Sequence, residues 1–431
     1  MINEKIEQFL QRNYELGYFI GNVLIARGKS ILFTKSYGMS DYEKQIPHIS
    51  STPFLIGSVS KQFIAAAIMK LQEEGKLHCD DTIDKYITHY PHASQITIHQ
   101  LLTHSSGIPN YTETADFYNT KDKILSPDQI IDIIRDKPLS FPPGTSCHYS
   151  NSGYVLLAQI IESITGLPYD VYLKQTIFTP LSMNDTGVVT NGLNQAGKTK
   201  GYSGTMHGYK ETPDWNISSF YGAGAMYSTV EDLYKWDRSL YTDMILSSES
   251  RKLLFTKHIG NFGYGWFVTE DGVYHDGRIT GFNSIISRYP EEGLVIIILS
   301  NRVYFGPRME TITRDIRSIL NGNDTALPQQ QSSIELQRNT AEKYTGTYME
   351  PTMGVPFTAE YIDGRMVFYD STAPAYQAEL KAITQSDEED IFTIGMSTGL
   401  LSFKKDTDGN VNKLTFSEDG LEIPMEKIKA E

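Results

Sequence analysis

Short apolar segments recur near both ends of this chain of 431 residues. Residues 21–26 and 30–34 are apolar and are joined by a glycine-containing turn at 27–29, which predicts a β-hairpin. Similar segments predict strands late in the chain, at 264–268, 283–288 and 294–299. We expect the hairpin and the late strands to form one antiparallel sheet flanked by helices, which is an α+β fold.

The middle of the chain carries helix signals, which predict a mostly helical region inserted against the sheet. Residues 97–100 and 228–231 match the capping box that begins many helices. Ser126 precedes a proline, as an N-cap residue precedes the first residue of a helix. A further helix over 154–165 is expected to end at Gly166.

Chain length and one polar segment predict two domains, because a single hydrophobic core is rarely this large. The aperiodic segment 323–334 is typical of a linker. We therefore expect a first domain over 1–322, which a helix at 309–320 closes, and a small second domain over 335–431. The second domain is predicted to be an all-β barrel or sandwich, because Asp-Gly turn signals separate its strand-like pieces at 363–364, 408–409 and 419–420.

The composition is that of an ordinary folded protein, with 40% hydrophobic and 11% aromatic residues. A net charge of −14 argues against nucleic acid or an anionic membrane surface as a partner. No apolar run approaches the length of a membrane span. Cys79 and Cys147 are too few for a disulfide framework, and His89 and His92 lack further ligands at zinc-site spacing, so we expect no metal site.

The N-terminal residues bear on localisation. They lack the apolar stretch of a secretory signal, which predicts either a cytoplasmic protein or an exported protein whose leader has been removed. The sequence leaves the oligomeric state open.

Ser58 and Lys61 form a Ser-x-x-Lys motif in front of the apolar segment 62–69. If that segment is a helix, Ser58 lies at its first turn and Lys61 lies below it on the same face, where a buried amine can activate the hydroxyl. In the alternative interpretation, Ser58 is a helix cap and Lys61 is a surface side chain. This motif alone supports the two interpretations equally. A second copy, Ser402 with Lys405, lies between a strand and a turn and is expected at the surface.

Tyr149 and Asn151 form a Tyr-x-Asn pair between the loop 141–145 and a predicted helix. Tyr149 could relay a proton between Ser58 and a leaving group, provided that a cation such as Lys61 stabilises its phenolate, because the ordinary pKa of tyrosine is about 10. Asn151 could hydrogen-bond to substrate or to Lys61, or it could cap the helix, and the two roles are compatible.

His275 and Gly277 belong to a His-x-Gly tripeptide, a pattern that His258 repeats. We favour His275 because it follows a short predicted strand at 272–274 and precedes the strand at 283–288. A glycine beside it allows the backbone of a substrate to approach closely. His104 and His148 are expected to lie outside the catalytic machinery.

Taken in order, these three motifs resemble those of the serine β-lactamase and penicillin-binding-protein family. The similarity is to its class C-like branch, with D-aminopeptidases, D-alanyl-D-alanine carboxypeptidases and family VIII esterases, and it spans about residues 10–320. Three other stretches look like the same family, at 100–109, 222–226 and 262–266. Residues 344–348 resemble the start of the small β-domains that are often appended to these hydrolases.

The resemblance implies a β-lactamase/transpeptidase-like fold and an acyl-enzyme at Ser58. Lys61, helped by Tyr149, would remove the proton of Ser58. The backbone N–H groups of Ser58 and Arg278 would hold the oxyanion. No metal or cofactor is needed, and the implied partner is a small-molecule or peptide substrate: a peptide that contains D-amino acids, a β-lactam or a small ester.

The resemblance assigns substrate binding to Asn151, His275, Gly277 and Arg278. One departure is that no Lys-Thr-Gly tripeptide occurs, and His275 stands in its place. A mostly neutral imidazole anchors a carboxylate less well than an ammonium, so we do not expect efficient β-lactam hydrolysis. A carboxypeptidase or D-aminopeptidase is expected; the alternatives are an esterase, a weak β-lactamase and a non-catalytic protein that binds a cell-wall peptide or a partner.

Overall fold

The structure is a computed structural model that describes residues 2–120, 123–190, 199–205, 208–212, 215–303, 308–329, 333–351, 354–371, 374, 377–395, 399–418 and 421–428. The chain divides into two compact units. One unit comprises residues 21–199 and 213–301, and the other comprises residues 1–20, 200–212 and 302–431. The domain bounds 1–322, 323–334 and 335–431 stay a prediction.

Along the chain, an early hairpin is followed by a mostly helical region, late strands and a C-terminal set of strands, as expected. The α-helices are α1 Ile2–Glu15, α2 Lys61–Glu73, α3 Ile98–Leu102, α4 Ala115–Tyr118, α5 Pro127–Asp132, α6 Asn151–Thr165, α7 Tyr169–Leu173, α8 Val230–Ser239, α9 Ser248–Leu254, α10 Met309–Leu320 and α11 Arg338–Ala341. The strands are β1 Gly21–Arg27, β2 Ser30–Tyr37, β3 Met39–Asp41, β4 Ile46–Pro47, β5 Phe54–Leu55, β6 Gly187–Val188, β7 Tyr202–Thr205, β8 Gly208–Glu211, β9 Met226–Ser228, β10 Phe267–Val268, β11 Val273–Ile279, β12 Phe282–Tyr289, β13 Leu294–Ser300, β14 Arg302–Val303, β15 Gly346–Met349, β16 Pro356–Ile362, β17 Arg365–Asp370, β18 Ala378–Gln385, β19 Glu389–Ile394, β20 Leu400–Lys405, β21 Val411–Glu418 and β22 Leu421–Lys427. Of the helices described, none is long and apolar enough to cross a bilayer.

A six-stranded sheet with the order β10-β11-β12-β13-β1-β2 forms the first unit's framework. Its pairings are antiparallel, so the predicted sheet of an early hairpin and late strands is confirmed. Strand β13 is buried along its whole length and pairs Ile298 with Val23 and Ile296 with Ile25. The strand predicted at 264–268 is shorter, because only Phe267 and Val268 pair with β11.

Helix starts in the first unit follow the capping signals with one exception. Thr97 and Ser126 both complete capping boxes, as predicted at 97–100 and before Pro127. The box predicted at 228–231 is wrong, because Thr229 caps α8 by accepting a hydrogen bond from the N–H of Asp232. Helix α6 begins three residues before the predicted 154 and ends at Gly166, whose φ of 67° is the left-handed conformation expected of a C-terminal glycine.

The first unit is held together by an apolar core in which α2 is buried nearly all round. Phe63 of this helix packs against Trp236 and Phe178, at ring-centroid distances of 5.0 and 5.4 Å. A helix with apolar side chains on every face is stable only inside a core, which explains why residues 62–69 form the buried centre of this unit.

Eight strands, β15 to β22, close into a barrel in the second unit, which confirms the small all-β barrel. The predicted turn at 363–364 links β16 and β17, and both of its residues have positive φ, as a tight hairpin requires. Aromatic side chains fill the barrel, and Tyr344 contacts Phe392 and Phe403 at 4.9 and 5.2 Å. The turn predicted at 419–420 and linker residues 330–332 lie outside the described residues.

Candidate active site

Ser58 lies where a tight turn runs into a buried helix. Residues Gly57–Ser60 form one 3₁₀ turn that continues directly into α2. No side chain caps the start of this turn or of α2, so the alternative that Ser58 is a helix cap is wrong. The turn instead presents the Ser58 hydroxyl to a cavity in the first unit.

Lys61 is fully buried, which rules out the alternative of a surface lysine. Its Nζ lies 3.0 Å from Ser58 Oγ, 2.8 Å from Asn151 Oδ1 and 2.7 Å from the backbone oxygen of Ala223. Burial holds the pKa of Lys61 well below its usual range, although the negative charge of Asp276 acts in the opposite direction. The environment therefore favours the neutral amine.

Tyr149 lies beside the amine of Lys61, as the sequence predicted, with Nζ 4.9 Å from the centroid of its ring. Its hydroxyl is buried and has no hydrogen-bond partner of standard geometry among the described residues. Burial raises the pKa of Tyr149 well above its usual range, while the nearby Ser58 hydroxyl lowers it. The balance favours the neutral phenol over the phenolate that we expected Lys61 to stabilise.

Asn151 is the first residue of α6 and connects this helix to Lys61. Its side-chain oxygen accepts the hydrogen bond from Lys61, which was one of its two expected roles. The expected role of helix cap is wrong, because the N-cap residue is Ser150 and no side chain caps the helix. Asn151 Nδ2 donates to Thr112 Oγ1 at 3.0 Å, and its backbone N–H donates to Asn110 Oδ1 at 3.1 Å.

The third motif lies within a strand rather than after one, because β11 continues through His275 to Ile279. The short strand β10 pairs only with Val273 and Tyr274, so the rest of β11 lies beyond its reach at the sheet edge. Side chains alternate along this edge between buried and more accessible positions. His275 and its neighbours are thereby placed beside the turn that holds the serine.

Two glycines allow the turn and the strand to meet. A Cβ added to Gly277 would lie 2.1 Å from the Ile56 oxygen and 2.9 Å from the backbone nitrogen of Ser58. A Cβ added to Gly57, which has a φ of 49°, would lie 2.9 Å from the backbone nitrogen of Arg278. The backbone amides of Ser58 and Arg278 therefore belong to two segments that are in direct contact.

His275 is buried and neutral. Its Nδ1 lies 2.6 Å from the backbone oxygen of Asp276, to which it donates a hydrogen bond. Burial, reinforced by the charge of Lys61, lowers the pKa of His275 to about 3. The ring centroid lies 5.0 Å from that of Phe267 and 6.3 Å from that of Tyr149. A neutral ring at this position cannot attract a carboxylate as a lysine ammonium does.

These elements surround a cavity of about 260 Å³. The residues that line it are Ser58, Tyr149, Phe267, Asp276 and Arg278. Lys61 and Asn151 form the hydrogen-bonded layer behind the serine. The predicted residues are thus brought together around one cavity, and their catalytic and binding roles stay a prediction.

Sequence reasoning missed four contributors to this site: the carbonyl of Ala223, the side chains of Phe267 and Asp276, and His104 beside Tyr149. The stretches at 222–226 and 100–109 carried a signal for the first and the last of these, since both resemble the family. A backbone carbonyl leaves no mark in a sequence pattern, and Asp276 was treated only as the middle of its tripeptide.

Histidines outside the cavity have other contacts. His258 stacks on Tyr264 at 5.3 Å and meets His99 edge-on at 4.8 Å. His89 forms an ion pair with Asp128 at 3.2 Å. Within the described ranges, no group of three or more histidine, cysteine or acidic residues is arranged to hold a metal ion.

The second Ser-x-x-Lys copy has structural partners within the barrel. Lys405 Nζ lies 2.8 Å from a carboxylate oxygen of the buried Asp390, and the Ser402 hydroxyl donates to Glu389. Ser402 and Lys405 are both partly exposed, in keeping with the expected surface position. Each already has a carboxylate partner, which distinguishes this copy from the pair at Ser58.

Comparison with known proteins gives a consistent result. Residues 2–321 match the family model described as Beta-lactamase. PbpX of Bacillus subtilis (strain 168), which is named as a penicillin-binding protein, is 31% identical over 322 residues, covering 74% of this chain and 78% of that protein.

Two crystal structures have a similar fold and 25% sequence identity. The penicillin-binding protein from Bacillus halodurans has a TM-score of 0.64, and the match covers 72% of this chain and 98% of that one. The D-amino acid amidase from Ochrobactrum anthropi SV3 has a TM-score of 0.65, with 74% of this chain and 97% of that one covered. The chain belongs to the beta-lactamase family, and within it to the penicillin-binding-protein-like serine hydrolases.

Proposed function

We propose that this protein hydrolyses amides or peptides of D-amino acids through an acyl-enzyme at Ser58. The observation that carries the proposal is the fully buried amine of Lys61, 3.0 Å from the Ser58 hydroxyl and with a pKa held well below its usual range. An uncharged amine in contact with a hydroxyl is a general base that needs no metal or cofactor.

Lys61 acts as the base that activates the nucleophile. A neutral amine has two N–H groups, and the contacts to Asn151 and Ala223 use both of them. The lone pair of Nζ is then left for the third neighbour, Ser58, whose O–H donates to it. Proton transfer to Lys61 occurs as Ser58 Oγ forms its bond to the substrate carbonyl carbon.

The backbone N–H groups of Ser58 and Arg278 stabilise the negative charge that develops on the carbonyl oxygen. Support comes from the two close approaches at Gly57 and Gly277, which bring the turn and β11 together at these amides. Donors on rigid backbone need no rearrangement during the reaction, and removal of one such donor typically costs about 10²–10³ in kcat.

Tyr149 carries the proton to the leaving group. The phenol passes its proton to the leaving nitrogen and takes one from the Lys61 ammonium, while the carbon–nitrogen bond breaks and the acyl-enzyme forms. Water then attacks the ester carbonyl and gives its proton to the neutral amine of Lys61. The Lys61 ammonium passes this proton to Ser58 Oγ as the ester bond breaks, which restores the hydroxyl and the neutral amine. The raised pKa of Tyr149 supports this route, because it keeps the proton on the oxygen until it is needed.

The charges around the cavity support an amide with a free amine over a substrate with a carboxylate. Asp276 contributes a negative charge to the lining and the exposed Arg278 a positive one, while the third motif has the neutral His275 instead of a lysine. The structural likeness to a D-amino acid amidase points the same way. Esters are a second candidate class, because a cavity of about 260 Å³ can hold a short acyl chain.

The test is covalent labelling followed by kinetics. Wild type, Ser58→Ala and Ser402→Ala are treated with a fluorophosphonate, and the intact masses are measured. We expect one adduct on wild type and on Ser402→Ala, and none on Ser58→Ala. D-amino-acid amides, N-acylated D-alanyl-D-alanine, p-nitrophenyl esters and nitrocefin are then compared as substrates. An adduct that persists on Ser58→Ala would refute the assignment, and wild type with no adduct and no turnover would indicate a binding protein.

A further inference from the structure

His104 holds both residues that flank Tyr149. Its backbone oxygen accepts a hydrogen bond from the N–H of His148 at 3.0 Å, and its ring Nδ1 accepts one from the N–H of Ser150 at 3.1 Å. The ring itself lies against the Tyr149 ring, with a centroid distance of 4.5 Å and an interplanar angle of 31°. One residue thus fixes the backbone on either side of Tyr149 and one face of its ring.

The conformation and burial of His104 are unusual for a turn residue. Its φ is 56°, a region that residues other than glycine seldom occupy and that costs free energy. The side chain is buried, and this burial holds the pKa of His104 well below the usual range. The ring is therefore neutral, and since Nδ1 accepts from a backbone N–H, its proton is on Nε2.

His104 is also the link nearest the cavity in a chain of hydrogen bonds between two loops. Gly107 accepts from the N–H of Ser140, and Ser105 accepts from the N–H of Gly144, both at 2.8 Å. The two bonds of His104 to residues 148 and 150 continue this pairing up to the Tyr149 side chain. The position of Tyr149 is consequently tied by hydrogen bonds to the loop over residues 104–107.

We propose that His104 is a positioning residue that holds the Tyr149 hydroxyl in place for proton transfer to the leaving group. The ring of Tyr149 and the backbone on either side of it set where its hydroxyl lies relative to Ser58. This proposal rests on the proposed function, in which the phenol protonates the leaving nitrogen.

The role of His104 can be separated from general stability by the choice of leaving group. An amide nitrogen must gain a proton as its bond to carbon breaks, whereas p-nitrophenolate leaves as an anion. A displaced Tyr149 therefore slows amide hydrolysis more than p-nitrophenyl ester hydrolysis, while a loss of folded protein lowers both rates equally.

The test compares His104→Phe with His104→Asn. Phenylalanine keeps a ring against Tyr149 but removes the acceptor, which leaves the N–H of Ser150 without its partner. Asparagine keeps an acceptor near the position of Nδ1 and tolerates a positive φ. We expect His104→Phe to lower kcat on a D-amino-acid amide at least about tenfold more than on a p-nitrophenyl ester, and His104→Asn to recover most of the amide activity.

Tyr149→Phe separates a failure of this inference from a failure of the proposed function. It should show the same split between amide and ester. If it does not, the proton route through Tyr149 is wrong; if it does and His104→Phe lowers both rates equally, only the role of His104 is wrong. Active sites are counted by fluorophosphonate labelling, and if His104→Phe does not fold, His104→Gln displaces the acceptor by one bond and must give the same split.

Discussion

The side chain of Asn151 accepts a hydrogen bond from the amine of Lys61 at 2.8 Å, although the two residues are 90 positions apart in the sequence. The amide of Asn151 is oriented by its own donor group, which bonds to Thr112. A neutral acceptor therefore faces the buried amine at this point. Because it adds no charge, it opposes the effect of burial on the pKa of Lys61 less than a carboxylate would.

Asn151→Asp should shift the pH dependence of the reaction upward. A carboxylate in contact with Nζ favours the ammonium, raises the pKa of Lys61 and reduces the fraction of neutral base at a given pH. We expect the acidic limb of kcat/KM to move up by about one pH unit or more, with roughly a tenfold loss at a pH that lies on that limb. The measurement is a pH–rate profile on a D-amino-acid amide.

Thr112→Val is the matched control for that shift. It removes the partner of the Asn151 amide and adds no charge, so activity falls while the acidic limb stays at its original pH. Superimposable acidic limbs for wild type and Asn151→Asp would contradict the assignment of Lys61 as the base that titrates in the profile.

Gly277→Ala should reduce kcat without unfolding the protein. The new Cβ would lie 2.1 Å from the Ile56 oxygen and 2.6 Å from Ser284 Oγ, so the turn that presents the serine has to move away from β11. Separation of the two amide donors should cost about 10²-fold or more in kcat.

Gly153→Ala serves as the control for Gly277→Ala. Gly153 lies in the first turn of α6, and the nearest atom to an added Cβ would be at an ordinary contact distance of 3.4 Å. Both variants are compared with wild type by kcat, KM and melting temperature. Equal kcat for Gly277→Ala and wild type would show that the approach of strand and turn is not needed for catalysis.

His275→Asn should make stability less sensitive to acid. The pKa of His275 is lowered from 6.5 to about 3 in the fold, so in the unfolded chain it binds a proton at a higher pH than in the native state. Above pH 6.5 the neutral His275 therefore does not change the free energy of unfolding. As the pH falls from 6.5 toward 3, it lowers the free energy of unfolding by about 1.4 kcal/mol per pH unit. Asparagine does not titrate, and its side-chain amide can still donate to the backbone oxygen of Asp276.

The measurement for His275→Asn is the melting temperature between pH 7 and pH 4. The melting temperature of wild type should fall by more than that of the variant over this range. His148→Asn is the control, because His148 is more than half exposed and pairs with Glu113 at the surface. Parallel curves for wild type and His275→Asn would show that His275 does not stay neutral in the folded protein.

The sequence predicted the pair Ser58 and Lys61 because their spacing lies within one helical turn, where local geometry decides the contact. It also predicted that α6 ends at Gly166, since a left-handed C-terminal residue is a local requirement. The capping box predicted at the start of α8 began at Ser228, one residue before the observed N-cap, Thr229. Ser228 had a competing partner, because its hydroxyl bonds to Thr186, 42 residues away.

Sequence patterns could not predict features that depend on contacts between distant segments of the chain. The Ala223 carbonyl contacts Lys61 only because two remote segments cross there, and nothing in a side-chain pattern records it. The pKa directions of Lys61 and Tyr149 depend on complete burial, which the sequence suggested for α2 but could not establish for Tyr149. His104 was set aside because its position beside Tyr149 exists only in the folded chain.

Asp276→Asn should shift the pH dependence in the opposite direction to Asn151→Asp. The charge of Asp276 raises the pKa values of both Lys61 and Tyr149, so its removal lowers them and the acidic limb of kcat/KM moves to lower pH. Asp271→Asn is the control, because Asp271 is exposed in the turn before β11 and does not line the cavity.

The same variant should change the choice of substrate. A half-buried carboxylate in the lining attracts the ammonium of a D-amino-acid amide and repels a carboxylate, and solvent screening limits this effect to about three- to tenfold. At a pH above the acidic limb, Asp276→Asn should lower kcat/KM for the free-amine amide and leave the N-acetylated amide unchanged, while Asp271→Asn alters neither. Arg278 lines the same cavity and is unchanged in Asp276→Asn, so the comparison with wild type isolates the effect of the carboxylate. An equal effect of Asp276→Asn on both amides would mean that the cavity does not select its substrate by this charge.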